Sequence, residues 1–297
     1  MSRIIARVNP VIFKTQAIHV KASPEVLCYT PVGNPLGFLE MQDLRQPVSV
    51  DDPESFELTV ANMGVSVDLS LTWQERDFRV LIRQDRTEQE DNVLKLISGY
   101  VPAHELRVPL LTVMTEIAEE LLLESNRGWL QGRYMETWLP TPYSATLPLS
   151  KRHSYQLTSH HAAAHPVLCR ELHLIERPRA YVHLPTNSLQ LVYSMQLQLP
   201  DNCPGLTMLH ADEHMDTEKN QLLVEMNYQR PEIFLAEMRD GAATGKLFSL
   251  EQGELVPRRP KNIWLSEALA PQTGWVIEEP RSQWPEGLTR LQRGGNP

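Results

Sequence analysis

Two apolar periods divide this chain, and the switch between them limits the folds open to it. Up to residue 101 the apolar residues alternate or form runs of strand length. Pro24, Pro31, Pro35, Pro47 and Pro53 cut short any longer element there. VIFKTQAIHVKA (11–22) alternates as a strand, and FELTVANMGVSVDLSLTW (56–73) reads as two short strands turning at Asn62–Gly64. FRVLIRQDR (78–86) is a buried-strand candidate, TEQEDN (87–92) a polar loop, and LKLISGYV (94–101) a further strand. From Pro109 the apolar positions Leu110, Met114, Ile117 and Leu121 recur at spacings of four, three and four, as on one face of a helix. Pro109 suits the first turn, where its missing N–H is not needed, and the expected end lies near Asn126–Gly128.

Beyond Gly128 the signals are mixed. ETWLPTPYSATLPLS (136–150) carries three prolines and reads as loop, and a short helix is expected after Pro166. SLQLVYSMQLQLP (188–200) and QLLVEMNY (221–228) read as strands, GKLFSLEQGELVP (245–257) as a hairpin closed at Glu251–Gly253, and NIWLSEAL (262–269) as a short helix. The expectation is a mixed α/β chain of the α+β kind: a β-rich segment over 1–60, then one domain over 61–297.

Composition removes several functional classes. No apolar run approaches the 18 or so residues that span a bilayer, so no membrane partner is expected. MSRIIARVNPVIFK lacks an apolar run followed by a small-residue cleavage site, which argues against secretion. Cys28, Cys169 and Cys203 are widely spaced, without CxxC, as suits a reducing cytoplasm. A formal charge of −9 without a Lys/Arg cluster argues against non-specific nucleic-acid binding. Residues 201–254 hold 11 acids against four bases, so most of the negative charge sits there.

Chemistry concentrates in GYVPAHELRVPLLTVMTEIAEELLLE (99–124). Glu116, Glu119 and Glu120 stand at i, i+3 and i+4, so their carboxylates project from one side of the helix. Stacked like charges repel by roughly a few tenths of a kcal/mol per exposed pair. A hard cation such as Mg²⁺ or Mn²⁺ would reverse that sign, since it prefers carboxylate and water oxygens.

The order Gly99, five residues, Glu105, then Glu116-Ile117-Ala118-Glu119-Glu120 resembles the Nudix box, and VLIRQDR is similar to the strand that leads into it. Three departures mark this chain. Nine residues rather than seven separate Glu105 from Thr115, Thr115 stands at the box arginine, and Leu122 stands at the box glycine. The resemblance implies a Nudix-like mixed-sheet sandwich and hydrolysis of a nucleoside diphosphate linked to another moiety. It also implies Glu116, Glu119 and Glu120 as Mg²⁺ (or Mn²⁺) ligands, with Glu105 supporting the loop or a second metal. Water polarised by the cation would attack phosphorus while positive charge neutralises the diphosphate oxygens. Glu119 and Glu120 are then catalytic, and a general base is sought in HADEHMDTE (210–218), first Glu213, with Asp212 and Asp216 behind it. Arg83 is a candidate substrate-binding residue. Trp129 and Tyr134, in the aromatic-rich GWLQGRYMETWLPTPY (128–143), could stack on a base, although core packing or a homodimer contact also suits them. The missing arginine leaves a second reading, a Nudix-like binding or scaffolding protein without activity. A third is an unrelated α/β protein whose acidic helix face is only solvated.

Other motifs fail on spacing. Pro166 interrupts the four-residue recurrence of His161, His165, Cys169 and His173 that would otherwise suggest zinc. His210 and His214 lack the HExxH order. GAATGKL (241–247) is one residue short of a phosphate loop and has Leu247 where Ser or Thr is needed. No GxSxG occurs.

Overall fold

A computed structural model describes residues 2–5, 14–86, 91–160, 163–201, 203–216, 221–229, 232–260, 263–269 and 272–279. Over these residues the chain is a mixed α/β protein made mostly of strands, with two α-helices, α1 (Phe38–Leu44) and α2 (Leu110–Glu120). Eighteen of the described strands join one large mixed sheet and five join a smaller one.

The large sheet is organised around a parallel pair, Asn62–Trp73 beside Ser188–Gln198, in register from 62↔188 to 71↔197. Alternate residues on both strands, among them Val65, Val67, Leu69, Leu189, Leu191 and Tyr193, are buried in one apolar cluster. Asn62–Gly64 therefore lies within a strand, and the break between the two expected strands falls at Ala61. Asn62–Trp73 turns into Arg76–Arg86 through Gln74 and Glu75, both at positive φ, the geometry that matches the twist of a two-residue hairpin. The strand expected over 94–101 is two pieces, Asp91–Lys95 and Ile97–Tyr100.

The smaller sheet takes Thr15–Ser23, Val26–Leu36 and Phe56–Val60 from the N-terminal segment, and Val167–Cys169 and Leu172–His173 from far along the chain. Its inner side chains, including Ile18, Val20, Leu27, Tyr29 and Val167, belong to the same apolar cluster as the large sheet. The helix expected after Pro166 is thus a strand. Val167 and Cys169 alternate into the core beside Val26–Leu36, and the Leu27 N–H donates to the Pro166 carbonyl (3.3 Å). Likewise 262–269 is a short strand, Ile263–Leu265, followed by a 3-10 turn, Glu267–Leu269.

Helix α2 begins as expected: the Val113 N–H donates to the Pro109 carbonyl (3.2 Å), and Val113, Met114, Ile117 and Ala118 are buried against the sheet. Each such aliphatic group contributes roughly 1.5–3 kcal/mol when fully buried. The helix stops at Glu120, earlier than its periodicity suggests, and Leu121–Ser125 continues as a strand. The cause is the Leu121-Leu122-Leu123 run. Three consecutive leucines on a helix fan over about 200° and one would meet water. On a strand they alternate, Leu121 and Leu123 into the main cluster and Leu122 into a second one with Trp129, Tyr143 and Met226. Gly128, at φ +102, closes the hairpin between Leu121–Ser125 and Gly128–Tyr134 instead of capping a helix.

Candidate functional site

The early stop of α2 places Glu116, Glu119 and Glu120 in its last turns, with no basic residue there. Carboxylates at the negative end of a helix dipole are disfavoured by about 0.3–1 kcal/mol each at low ionic strength. All three line one cavity of about 340 Å³, together with Arg83, Gln84, Lys95, Tyr143, His210, Asp212 and Glu232.

Each carboxylate has its own setting. Glu116 rests directly against the Cα of Gly99, on the strand Ile97–Tyr100, and any Cβ at 99 would collide with it. Glu120 accepts a hydrogen bond from the Ser98 backbone N–H (3.3 Å), and the Lys95 ammonium stands 4.0 Å from its other oxygen. The Glu119 carbonyl accepts from the buried Tyr143 hydroxyl (3.1 Å), which ties the end of α2 to the loop at 141–148. Lys95 also donates to Ser98 Oγ (3.2 Å), and Arg83 pairs with Glu232 (3.5 Å) on the opposite wall.

His210 is the group that sequence inspection missed. It lies on the strand Thr207–Asp216, directly opposite Leu121 in an antiparallel pair, and is 8% exposed. Neither ring nitrogen has a hydrogen-bond partner, although buried polar groups nearly always do. Burial lowers its pKa to about 4, with the nearby Lys95 charge adding to the effect, so the imidazole is neutral. In sequence it was only half of a failed zinc-protease spacing.

The other candidate residues fall in different places. Asp212 lines the cavity two residues beyond His210. The expected acidic loop is strand as far as Asp216; Glu213 pairs with Val224 in its backbone, and its side chain and that of Asp216 lie outside the described residues. Glu105 is not among the residues that line the cavity. It accepts from Thr112 Oγ1 (2.6 Å), with His104 3.6 Å away, and so fastens the preceding loop to the first turns of α2. Trp129, 5% exposed, is packed into the second cluster and offers no ring face to a ligand. Tyr134 is half-buried on the Gly128–Tyr134 strand, away from the cavity, its pKa raised by burial and by Glu176. His161 lies outside the described residues.

The oxygen donors on α2 suit a hard divalent cation. Among the described residues no three His, Cys, Asp or Glu side chains converge into a ready-made cluster.

A second cavity, of about 380 Å³, shares Gln84 and Lys95 with the first and reaches Gly99. Several polar side chains at this cavity are joined: Gln190 Nε2 donates to Ser188 Oγ (2.9 Å), which lies 3.0 Å from Thr186 Oγ1, itself 2.6 Å from His183 Nδ1. Arg45 bonds to the Tyr100 hydroxyl and lies over its ring, 5.3 Å from the centroid. Gly64 leaves room for the Gln190 carboxamide, which a Cβ there would displace.

No protein-family model matches this chain, and comparison with curated proteins and with solved structures finds no similar protein. No described helix is long and apolar enough to cross a membrane.

Proposed function

We propose that the protein is a Nudix-type, Mg²⁺- or Mn²⁺-dependent hydrolase of a nucleoside diphosphate linked to another moiety, with α2 and the strand Ile97–Tyr100 as its working parts. One observation carries this reading: Gly99, which opens the sequence motif, and Glu116, the first of its clustered carboxylates, are in direct contact, and the carboxylates of Glu116, Glu119 and Glu120 then line a single cavity with Lys95 and Arg83.

A bound divalent cation would supply charge neutralisation at the diphosphate and a more acidic water. Glu119 and Glu120, with Glu116 beside them, are the residues to hold it. Lys95 and Arg83 supply positive charge for phosphoryl oxygens as negative charge builds. Tyr143 fixes the last turn of α2 through the Glu119 carbonyl, so the carboxylates are positioned before substrate arrives. Asp212, on the cavity wall, is available to take a proton from water.

The departures at Thr115 and Leu122 favour a second reading, in which the same cavity binds a nucleotide without turnover. One experiment separates the two. Mn²⁺ binding is measured by calorimetry on the wild type and on Glu119→Gln/Glu120→Gln, beside a phosphate-release screen of nucleoside diphosphate derivatives. Binding lost in the double variant, with turnover of any compound, supports the hydrolase. Binding without turnover supports the second reading, and no Mn²⁺ binding in the wild type removes the metal site and with it the hydrolase.

A further inference from the structure

We propose that His210 is a phosphate-contacting residue whose ring N–H donates to a phosphoryl oxygen of the diphosphate beside Lys95. The proposal rests on the diphosphate reading above and adds to it a residue that no box motif contains.

The argument starts from an unmet requirement. His210 is buried in the cavity wall, and both ring nitrogens lack a hydrogen-bond partner. A neutral imidazole carries one N–H and one lone pair. Leaving such groups unpaired in the interior is unfavourable, so the arrangement makes sense when something else completes it. Three carboxylates and Asp212 line the same cavity, yet neither nitrogen reaches an acceptor among them. A ligand that enters the cavity can supply that acceptor.

The surroundings say which kind of acceptor. Lys95 stands close enough to His210 to disfavour an imidazolium, and the same charge disfavours a metal cation at that nitrogen. A phosphoryl oxygen has the opposite preference, drawn to the ammonium and able to accept the neighbouring N–H. The cavity thus divides its work. The carboxylates of α2 face the cation, and Lys95 with His210 faces the oxygens. A neutral donor also takes up no proton on binding, so the negative charge is left to the cation and Lys95.

The test uses the full chain, saturating Mg²⁺ and methylenediphosphonate, whose P–C–P link resists hydrolysis. Binding is measured by calorimetry for the wild type, His210→Leu, His210→Asn and His210→Gln, each with a separate Mn²⁺ titration. Removing the donor in His210→Leu is expected to weaken the diphosphonate by about tenfold or more while Mn²⁺ affinity stays within about twofold. The Asn or Gln variant whose amide nitrogen overlays the donating nitrogen is expected to recover most of the loss. On the wild type, which needs no substitution to fold, the His210 ring ¹⁵N and N–H resonances should move when diphosphonate is added to the Mg²⁺-loaded protein, and not on Mg²⁺ alone.

Unchanged diphosphonate affinity in His210→Leu overturns the proposal and leaves the carboxylate reading standing. A fall in Mn²⁺ affinity that accounts for the diphosphonate loss also overturns it, because His210 would then act on the cation. Absence of Mn²⁺ and diphosphonate binding in the wild type removes the diphosphate reading and the proposal together.

Discussion

The two cavities that meet at Gln84 and Lys95 are close in volume and opposite in character. In the one beneath Tyr100, side chains from one stretch of chain, His183 to Gln190, hold each other in a hydrogen-bonded relay. In the one at the end of α2, like charges share a helix terminus and an imidazole is buried without a partner. The first kind of wall stabilises the chain by itself. The second keeps a buried imidazole without a hydrogen-bond partner beside three carboxylates, which is why the functional reading is placed there.

Four changes would break or sharpen that contrast. Replacing Gly99 by Val drives a side chain into the Glu116 carboxylate, and Mn²⁺ affinity is expected to fall about 100-fold or more by calorimetry, as when a supporting shell is lost. A wild-type affinity in that variant would separate Glu116 from the cation.

The next effect is in pH. The pKa of His210 is about 4 in the folded protein against 6.5 for the ordinary residue, so the unfolded chain binds the proton first. Its contribution to stability is complete above about pH 6.5 and is lost as pH falls towards 4, by about 3 kcal/mol in total. Urea unfolding between pH 7 and 4 should show that component in the wild type and lose it in His210→Leu. If the slope survives the substitution, another group is responsible.

Thr186→Val cuts the relay of the second cavity, and about 1 kcal/mol of stability should go with it in the same urea assay. Mn²⁺ affinity should not move; if it does, the two cavities are coupled. Smallest of all is Glu105→Gln, which keeps an acceptor for Thr112. A loss of about 0.5 kcal/mol at most is expected, with Mn²⁺ binding unaltered. A large drop in Mn²⁺ affinity would point to Glu105 as a ligand.

What the sequence showed and what it hid follow the range of the interactions involved. The start of α2, its buried face and the common side of Glu116, Glu119 and Glu120 are local properties of a 3.6-residue repeat. The hairpin at 245–257 is local too, and appears as Ala242–Glu251 and Glu254–Arg258. The end of α2 was hidden because Leu121 continues the helical repeat, and only the strand Thr207–Asp216, far along the chain, gives the leucine run a partner to pair with. Val167–Cys169 was hidden for the same reason, since only Val26–Leu36 makes it a strand. Trp129 is an aromatic that sequence alone cannot assign to core or to surface. His210 is the sharpest case: a missing partner is a property of the surroundings and leaves no trace in spacing.

The parallel pairing of residues 62–71 with residues 188–197 also bears on the order in which the protein is made. Parallel pairing across so long an intervening segment closes a large loop before any contact rewards it, so it is a slow step. During synthesis α2 and the hairpin before it leave the ribosome long before the strand Ser188–Gln198. The acidic helix therefore exists for a time with its neighbours unpaired and its leucine run uncovered. Completion of the cavity waits for the strand that carries His210 and for Glu232 beyond it, so a nascent chain stalled before residue 207 has the α2 carboxylates without the cavity they line.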